Sequence, residues 1–210
     1  MMLPKSNKMP DLSHLDPLIS GFLTAIIGFR GDQLTQKERL YIRVFVRLAN
    51  KALTEYSVAR NLVEAEINEM TRSSEEMERD GRQLYFLGIV DHMENCINAT
   101  RRLFHFLDVI KSEKRHGGKL RLDRLIRRMI EAQSRDIVNI RDCIEHLDEQ
   151  IQKSEKFGPI MLSFSDDDES IEIADSTIRF VDLALVLKYF HKLSLQWLDD
   201  FCKTPHKRDE

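Results

Sequence analysis

Residues 122–146 read LDRLIRRMIEAQSRDIVNIRDCIEH, and their periodicity decides the fold class. Leu122, Leu125, Met129, Ile137, Ile140 and Ile144 recur at helical spacing, and Leu147 and Ile151 continue the row. Steps of three and four residues, or their sums, place side chains on one face of a helix. The pattern predicts a helix over about 120–155, stopped by Gly158-Pro159. No proline occurs between Pro17 and Pro159, and a span without proline is what long helices need, because proline removes a donor and clashes with the preceding turn.

The pattern extends outward on both sides. Toward the start, a helix over about 81–111 carries Phe86, Ile89, Met93, Cys96, Ile97, Leu103, Phe104 and Leu107 on one broad face, with Asp91, Asn95, Asn98, Arg102 and His105 opposite. Before it, Thr35-x-x-Glu38 is a capping box opening a long helix whose stripe is Tyr41, Phe45, Leu48, Ala52, Ala59, Leu62 and Met70. The segment 72–76 interrupts that stripe and recaps a new helix. A first helix is expected over about 15–29. Toward the end, 160–164 and 170–173 are β-rich around an acidic tip, Asp166 to Glu169, and read as a hairpin with a solvated turn. A last helix, about 177–201, has five consecutive apolar residues from Leu183 to Leu187, which suits the middle of a bundle. The expectation is an all-α, up-and-down bundle of about five helices with a small β-hairpin insertion (about 159–176) before the C-terminal helix. It forms one domain over 15–203, with a flexible tail at 1–14 and another at 204–210.

Composition bounds the function. The chain has 210 residues, 32 Lys+Arg against 35 Asp+Glu, and a net charge of −3, which excludes a histone-like, wholly basic protein. Three cysteines without a CxxC pair suit a reducing cytoplasm and make a poor zinc site. The uncharged run 17–29 is too short to span a bilayer. Among seven histidines no two stand three or four apart, so neither a metal site nor a cofactor is expected. There is no glycine-rich phosphate loop, HExxH or GxSxG.

Chemistry concentrates at Arg141-Asp142-Cys143-Ile144-Glu145-His146. Asp142 and His146, four apart, share a helix face and can hydrogen-bond, which would orient the imidazole. Arg141 lies about 140° around the helix from His146, so the two meet on one atom only if a groove or a second chain wraps the site. A guanidinium suits bidentate phosphate binding and an imidazole suits proton transfer near neutrality. Upstream, residues 111–135 hold nine Lys/Arg and three acids, a net of +6. Arg121, Arg124, Arg128 and Arg135 fall within about 60° of one another, on the side of Asn139, Asp142 and His146. Such a row reads either as an RNA-binding track or as a solvated helix face with i,i+4 pairing. Elsewhere, Asp91, Glu94 and Asn98 are candidates to back the motif, Trp197 reads as core, and His191 as a satisfied buried histidine.

The Arg141-x4-His146 pattern resembles the R-x(4–6)-H signature of the HEPN superfamily of all-helical domains. An earlier helix of the form Asp91-His-Met-Glu-Asn-Cys-Ile-Asn-Ala99 and an apolar last helix fit the same resemblance, which spans roughly 35–201, with only the six-residue motif specific. It implies a metal-independent endoribonuclease that uses the RNA 2′-hydroxyl as nucleophile, often a toxin or antiviral effector, commonly a homodimer, with a protein antitoxin or regulator as possible partner. Arg141 would hold the scissile phosphate, His146 would move the proton and Asp142 would support either. The tyrosine that some such toxins carry two residues after the histidine is Asp148 here. The same fold without catalysis would be a binding module for nucleotide, RNA or protein. A structural helical oligomerisation domain is the remaining class.

Overall fold

The computed structural model describes residues 3–21, 23, 34–115, 120, 122–146, 149, 152, 159 and 161–202. The chain is mainly helical, with a small three-stranded antiparallel sheet before the last helix. The bounded helices are α1 (Gln36–Met70), α2 (Ser74–Asp80), α3 (Phe86–Arg115), α4 (Arg124–Glu145) and α5 (Phe180–Cys202). The strands β1 (Ser163–Phe164), β2 (Ser170–Ile173) and β3 (Ser176–Arg179) lie in the order β1-β2-β3. Of the first helix expected at 15–29, residues 15–18 are not helical, helical backbone is seen at 19–21 and 23, and residues 22 and 24–29 lie outside the described residues.

Helix α1 starts where its capping box predicts. The Thr35 hydroxyl accepts the Glu38 N–H at 3.2 Å, and the Glu38 carboxylate accepts the Thr35 N–H at 2.9 Å. Ser73 and Glu76 repeat the device at α2. Helix α3 starts five residues later than expected. Gly81 has a φ of 77°, which ends α2 in the left-handed region. The loop that follows takes its hydrogen bonds from carboxylates of α1: Tyr85 N–H donates to Glu66 at 2.7 Å and Gln83 N–H to Glu69 at 3.1 Å. Two acids near the end of α1 therefore set the start of α3.

Helices α1 and α3 run antiparallel, since Tyr41 stacks edge-on with Phe106 while Glu55 meets His92 fourteen residues further along α1. Helix α5 fills the centre: Leu183, Ala184, Val186, Leu187, Phe190, Leu193 and Trp197 are buried. Phe45 of α1 and Phe104 of α3 both pack edge-on against Phe190, and Phe45 also meets Trp197 at 4.7 Å between ring centroids. His191 is buried as expected, its Nε2 2.8 Å from the Asp16 carbonyl oxygen.

The inserted sheet corrects the expected hairpin. Residues 176–179, of which 177–179 were expected to open the last helix, form a third strand, with Ile171 facing Ile178 and Ser170 facing Arg179. Burial of Ile178 between exposed Thr177 and Arg179 is the two-residue alternation of a strand, and it is too short to register against the helical run that follows. The acidic tip is also not wholly solvated: Asp168 is 4% exposed.

The arm over 1–14 was expected to be free, and its described part is docked. Met9 and Leu12 are buried, Tyr56 donates its hydroxyl to the Pro10 carbonyl at 3.1 Å, and Arg60 Nε donates to the Met9 carbonyl at 3.1 Å. Scarce apolar residues made this segment look polar overall, but two of them suffice to seat it on α1 when backbone carbonyls find donors there.

Candidate functional site

Helix α4 carries the motif. Its N-cap is Asp123, whose carboxylate accepts the N–H groups of Leu125 at 2.7 Å and Ile126 at 3.0 Å. These bonds hold the Asp123 carboxyl below its usual range. Ile126, Ile130, Ile137, Ile140 and Cys143 bury one face against the neighbouring elements. Leu125, expected in that stripe, is 69% exposed. It sits in the first turn of the helix.

The opposite face keeps the expected arginines. Arg124, Arg128, Arg135 and Asn139 are exposed, and none of the three arginines has an ion-pair partner among the described residues. Arg121 lies outside the described residues. Arg127, which the row did not include, pairs with Glu131 at 3.7 Å.

The C-terminal turn holds the motif in a different arrangement from the expected one. Glu145 is the last helical residue and His146 the C-cap, with φ −113° and ψ 25°, so its ring leaves the helical register. Its backbone N–H donates to the Asp142 carbonyl at 3.0 Å. The Asp142 side chain does not reach the imidazole. It accepts instead from Arg141 Nη1 at 3.1 Å, while Arg141 Nη2 pairs with Glu145. His146 Nδ1 lies 3.5 Å from Glu149 Oε1. Within one chain, then, the arginine and the histidine have separate carboxylate partners. A charge-assisted bond to a guanidinium next door outcompetes a bond to an imidazole one turn away. Both groups remain accessible, with Arg141 28% and His146 55% exposed.

Two contacts, one at the motif and one elsewhere, were invisible in the sequence. Cys143 Sγ is 3.1 Å from Ser176 Oγ, which fastens the motif turn to β3. Between α1 and α3, His92 Nδ1 lies 2.6 Å from Glu55 Oε2. Only the antiparallel packing of those helices joins residues 37 apart, so no spacing rule within one helix finds them. Of the residues proposed to back the motif, Glu94 has its carboxyl pushed up by burial and by Asp91. Among the described residues, no group of three or more His, Cys, Asp or Glu is arranged to hold a metal ion, and no helix is long and apolar enough to cross a membrane.

Comparison of the chain with protein-family models, with curated proteins and with solved structures finds no match.

Proposed function

We propose that this chain is a metal-independent endoribonuclease of HEPN type, an up-and-down helical bundle acting as a homodimer in toxin–antitoxin or antiviral defence. The observation that carries the reading is the placement of accessible Arg141 and His146 in the last turn and C-cap of a helix whose exposed Arg124, Arg128 and Arg135 have no carboxylate partner among the described residues. Unpaired guanidiniums along one face attract an RNA backbone and lead it to the motif.

In this reading Arg141 exchanges Asp142 and Glu145 for the two free oxygens of the scissile phosphate. His146 takes the proton of the 2′-hydroxyl, the 2′-oxygen bonds to phosphorus and the P–O5′ bond breaks; the departing 5′-oxygen takes a proton from the imidazolium, leaving a 2′,3′-cyclic phosphate and a 5′-hydroxyl. A second protomer brings its own motif to the same phosphate, which answers the angular separation of the two residues on one helix. Incubation with total RNA in EDTA tests this. Cleavage with cyclic phosphate ends, lost in both Arg141→Ala and His146→Ala, is the expected result, and cleavage unchanged by either substitution overturns it.

The binding-module reading has its own support in the ion pairs of Arg141 with Asp142 and Glu145, which leave the guanidinium occupied in the single chain. RNA retention without cleavage selects it. A chain that neither binds nor cuts RNA is a structural oligomerisation domain.

A further inference from the structure

Away from the motif, the N-terminal arm and α1 form a pocket of about 260 Å³ that opens to solvent. Three bonds fix the arm that makes one of its walls. Tyr56 donates to the Pro10 carbonyl and Arg60 Nε to the Met9 carbonyl, both at 3.1 Å, and His191 Nε2 lies 2.8 Å from the Asp16 carbonyl oxygen. The wall is therefore preformed, as small-molecule sites usually are. Leu12, Leu15 and Leu18 of the arm and Leu53 and Val58 of α1 supply apolar surface to the lining.

The polar part of the lining has a narrow chemistry. Asn50, Thr54, Ser57 and Asn61 line the pocket at steps of four, three and four, so they share one helix face. None of these four side chains has a hydrogen-bond partner among the described residues. In a chain that is 32% charged, the polar groups that α1 brings to the pocket are amides and hydroxyls alone, with their bonding capacity unspent. The charged residue of the lining is Asp16, an exposed residue whose carboxylate likewise has no partner among the described residues. Among the described residues, no Lys, Arg, His or aromatic side chain lines the pocket. Arg60, next to Asn61, is committed elsewhere, with Nε on the Met9 carbonyl and Nη1 on Glu64 at 2.9 Å.

We propose that this pocket binds a small organic cation, a primary amine on a compact aliphatic body. Anionic ligands, phosphates and carboxylates among them, would meet Asp16 with no base in the lining to offset it. Flat aromatic ligands would find no ring to stack on. An ammonium group has three donors and no acceptor, and the oxygens of Asp16, Asn50, Thr54, Ser57 and Asn61 are acceptors for it. The leucines and Val58 take the hydrocarbon, whose removal from water favours binding. Asp16 supplies the preference for the amine over a neutral analogue of the same shape. The volume falls just under the roughly 300–1,000 Å³ of drug-sized sites, so the ligand is smaller than those. This site does not rest on the Arg141–His146 reading, and it involves binding without a chemical step.

The test titrates the isotope-labelled full chain with three probes of one hydrocarbon length, hexylamine, hexanol and hexanoate, and follows backbone amide shifts by NMR at constant pH and salt. Hexylamine is expected to give saturable shifts within 12–18 and 50–61, with hexanol binding there about fivefold more weakly and hexanoate more weakly still. Asp16→Asn, a change at an exposed residue, is expected to bring hexylamine down to the affinity of hexanol and to leave hexanol within about twofold. Ser57→Phe, which places a ring in the pocket, is expected to remove the saturable shifts for hexylamine and hexanol alike, with circular dichroism confirming its fold. Equal affinity for the amine and the alcohol overturns the proposal. So does hexylamine binding that Asp16→Asn leaves unchanged, or hexylamine shifts that are absent from the two segments or confined to acidic residues elsewhere.

Discussion

Asp168 holds Ser6: its Oδ2 accepts the Ser6 backbone N–H at 2.8 Å and the Ser6 hydroxyl at 3.0 Å. The Lys5 N–H adds bonds of 3.2 and 3.1 Å to the two carboxylate oxygens. A residue near the end of the sequence thus closes the N-terminal arm onto the β1–β2 turn, and Asp168 adopts a φ of 60° to do so. Asp tolerates that left-handed conformation better than most residues.

Substituting Asp168 separates these effects. Asp168→Ala is expected to cost about 2–3 kcal/mol in urea unfolding, because it removes the acceptor and strains the left-handed position. Asp168→Asn, which keeps the conformation and loses the charge, costs about half of that. Limited trypsin digestion at Lys5 and Lys8 accelerates in both, and the greater acceleration belongs to Ala.

Glu66 has a similar role at the start of α3. It is fully buried, with one oxygen on the Tyr85 N–H and the other 3.7 Å from Arg82 Nη2. Glu66→Ala leaves a buried N–H without an acceptor and opens a cavity, so a loss of about 2–4 kcal/mol is expected. Glu66→Gln, which still accepts from Tyr85, loses less. Equal losses for the two would show that the carboxylate charge, which both variants remove, matters rather than the volume or the hydrogen bond.

Stability should respond to pH with opposite signs at two carboxyls. Asp123 is held below its usual range by the N–H groups it caps, so its contribution is present above its unfolded pKa and is lost as pH falls through the folded one. Asp123→Ala therefore lowers the melting temperature near pH 7 and matters little in acid. Glu94 is raised by burial and by Asp91, so the folded state disfavours its charge and stability declines as pH rises through its titration. Glu94→Gln raises the melting temperature near pH 7 and leaves it unchanged in acid.

The ion pair of Arg141 with Glu145 competes with phosphate in the motif reading. Glu145→Gln is expected to tighten RNA binding about threefold, the scale of an exposed pair. Fluorescence anisotropy with labelled RNA at fixed salt measures it. Weaker binding would show that Glu145 positions Arg141 and does not mask it.

Much of the helical frame was legible because its signals are local. The capping boxes at Thr35–Glu38 and Ser73–Glu76 name their own helix starts, and Ile137 and Ile140 of the expected stripe are buried as their spacing requires. Where the reading missed, a distant partner intervened. The start of α3 depends on Glu66 and Glu69 from another helix, and β3 depends on pairing with β2.

The candidate site divides in the same way. Sequence spacing alone placed Arg124, Arg128 and Arg135 on one open face, because helical rotation is a property of the backbone. It could not foresee that Asp142 turns to Arg141, since that choice depends on which donor lies nearer once the helix ends at Glu145. Nor could it join Glu55 to His92 or Asp168 to Ser6. Those pairs exist only because packing of the apolar faces sets helices and arm side by side, and it is that packing, not any motif, which decides where a buried or half-buried charge finds its partner.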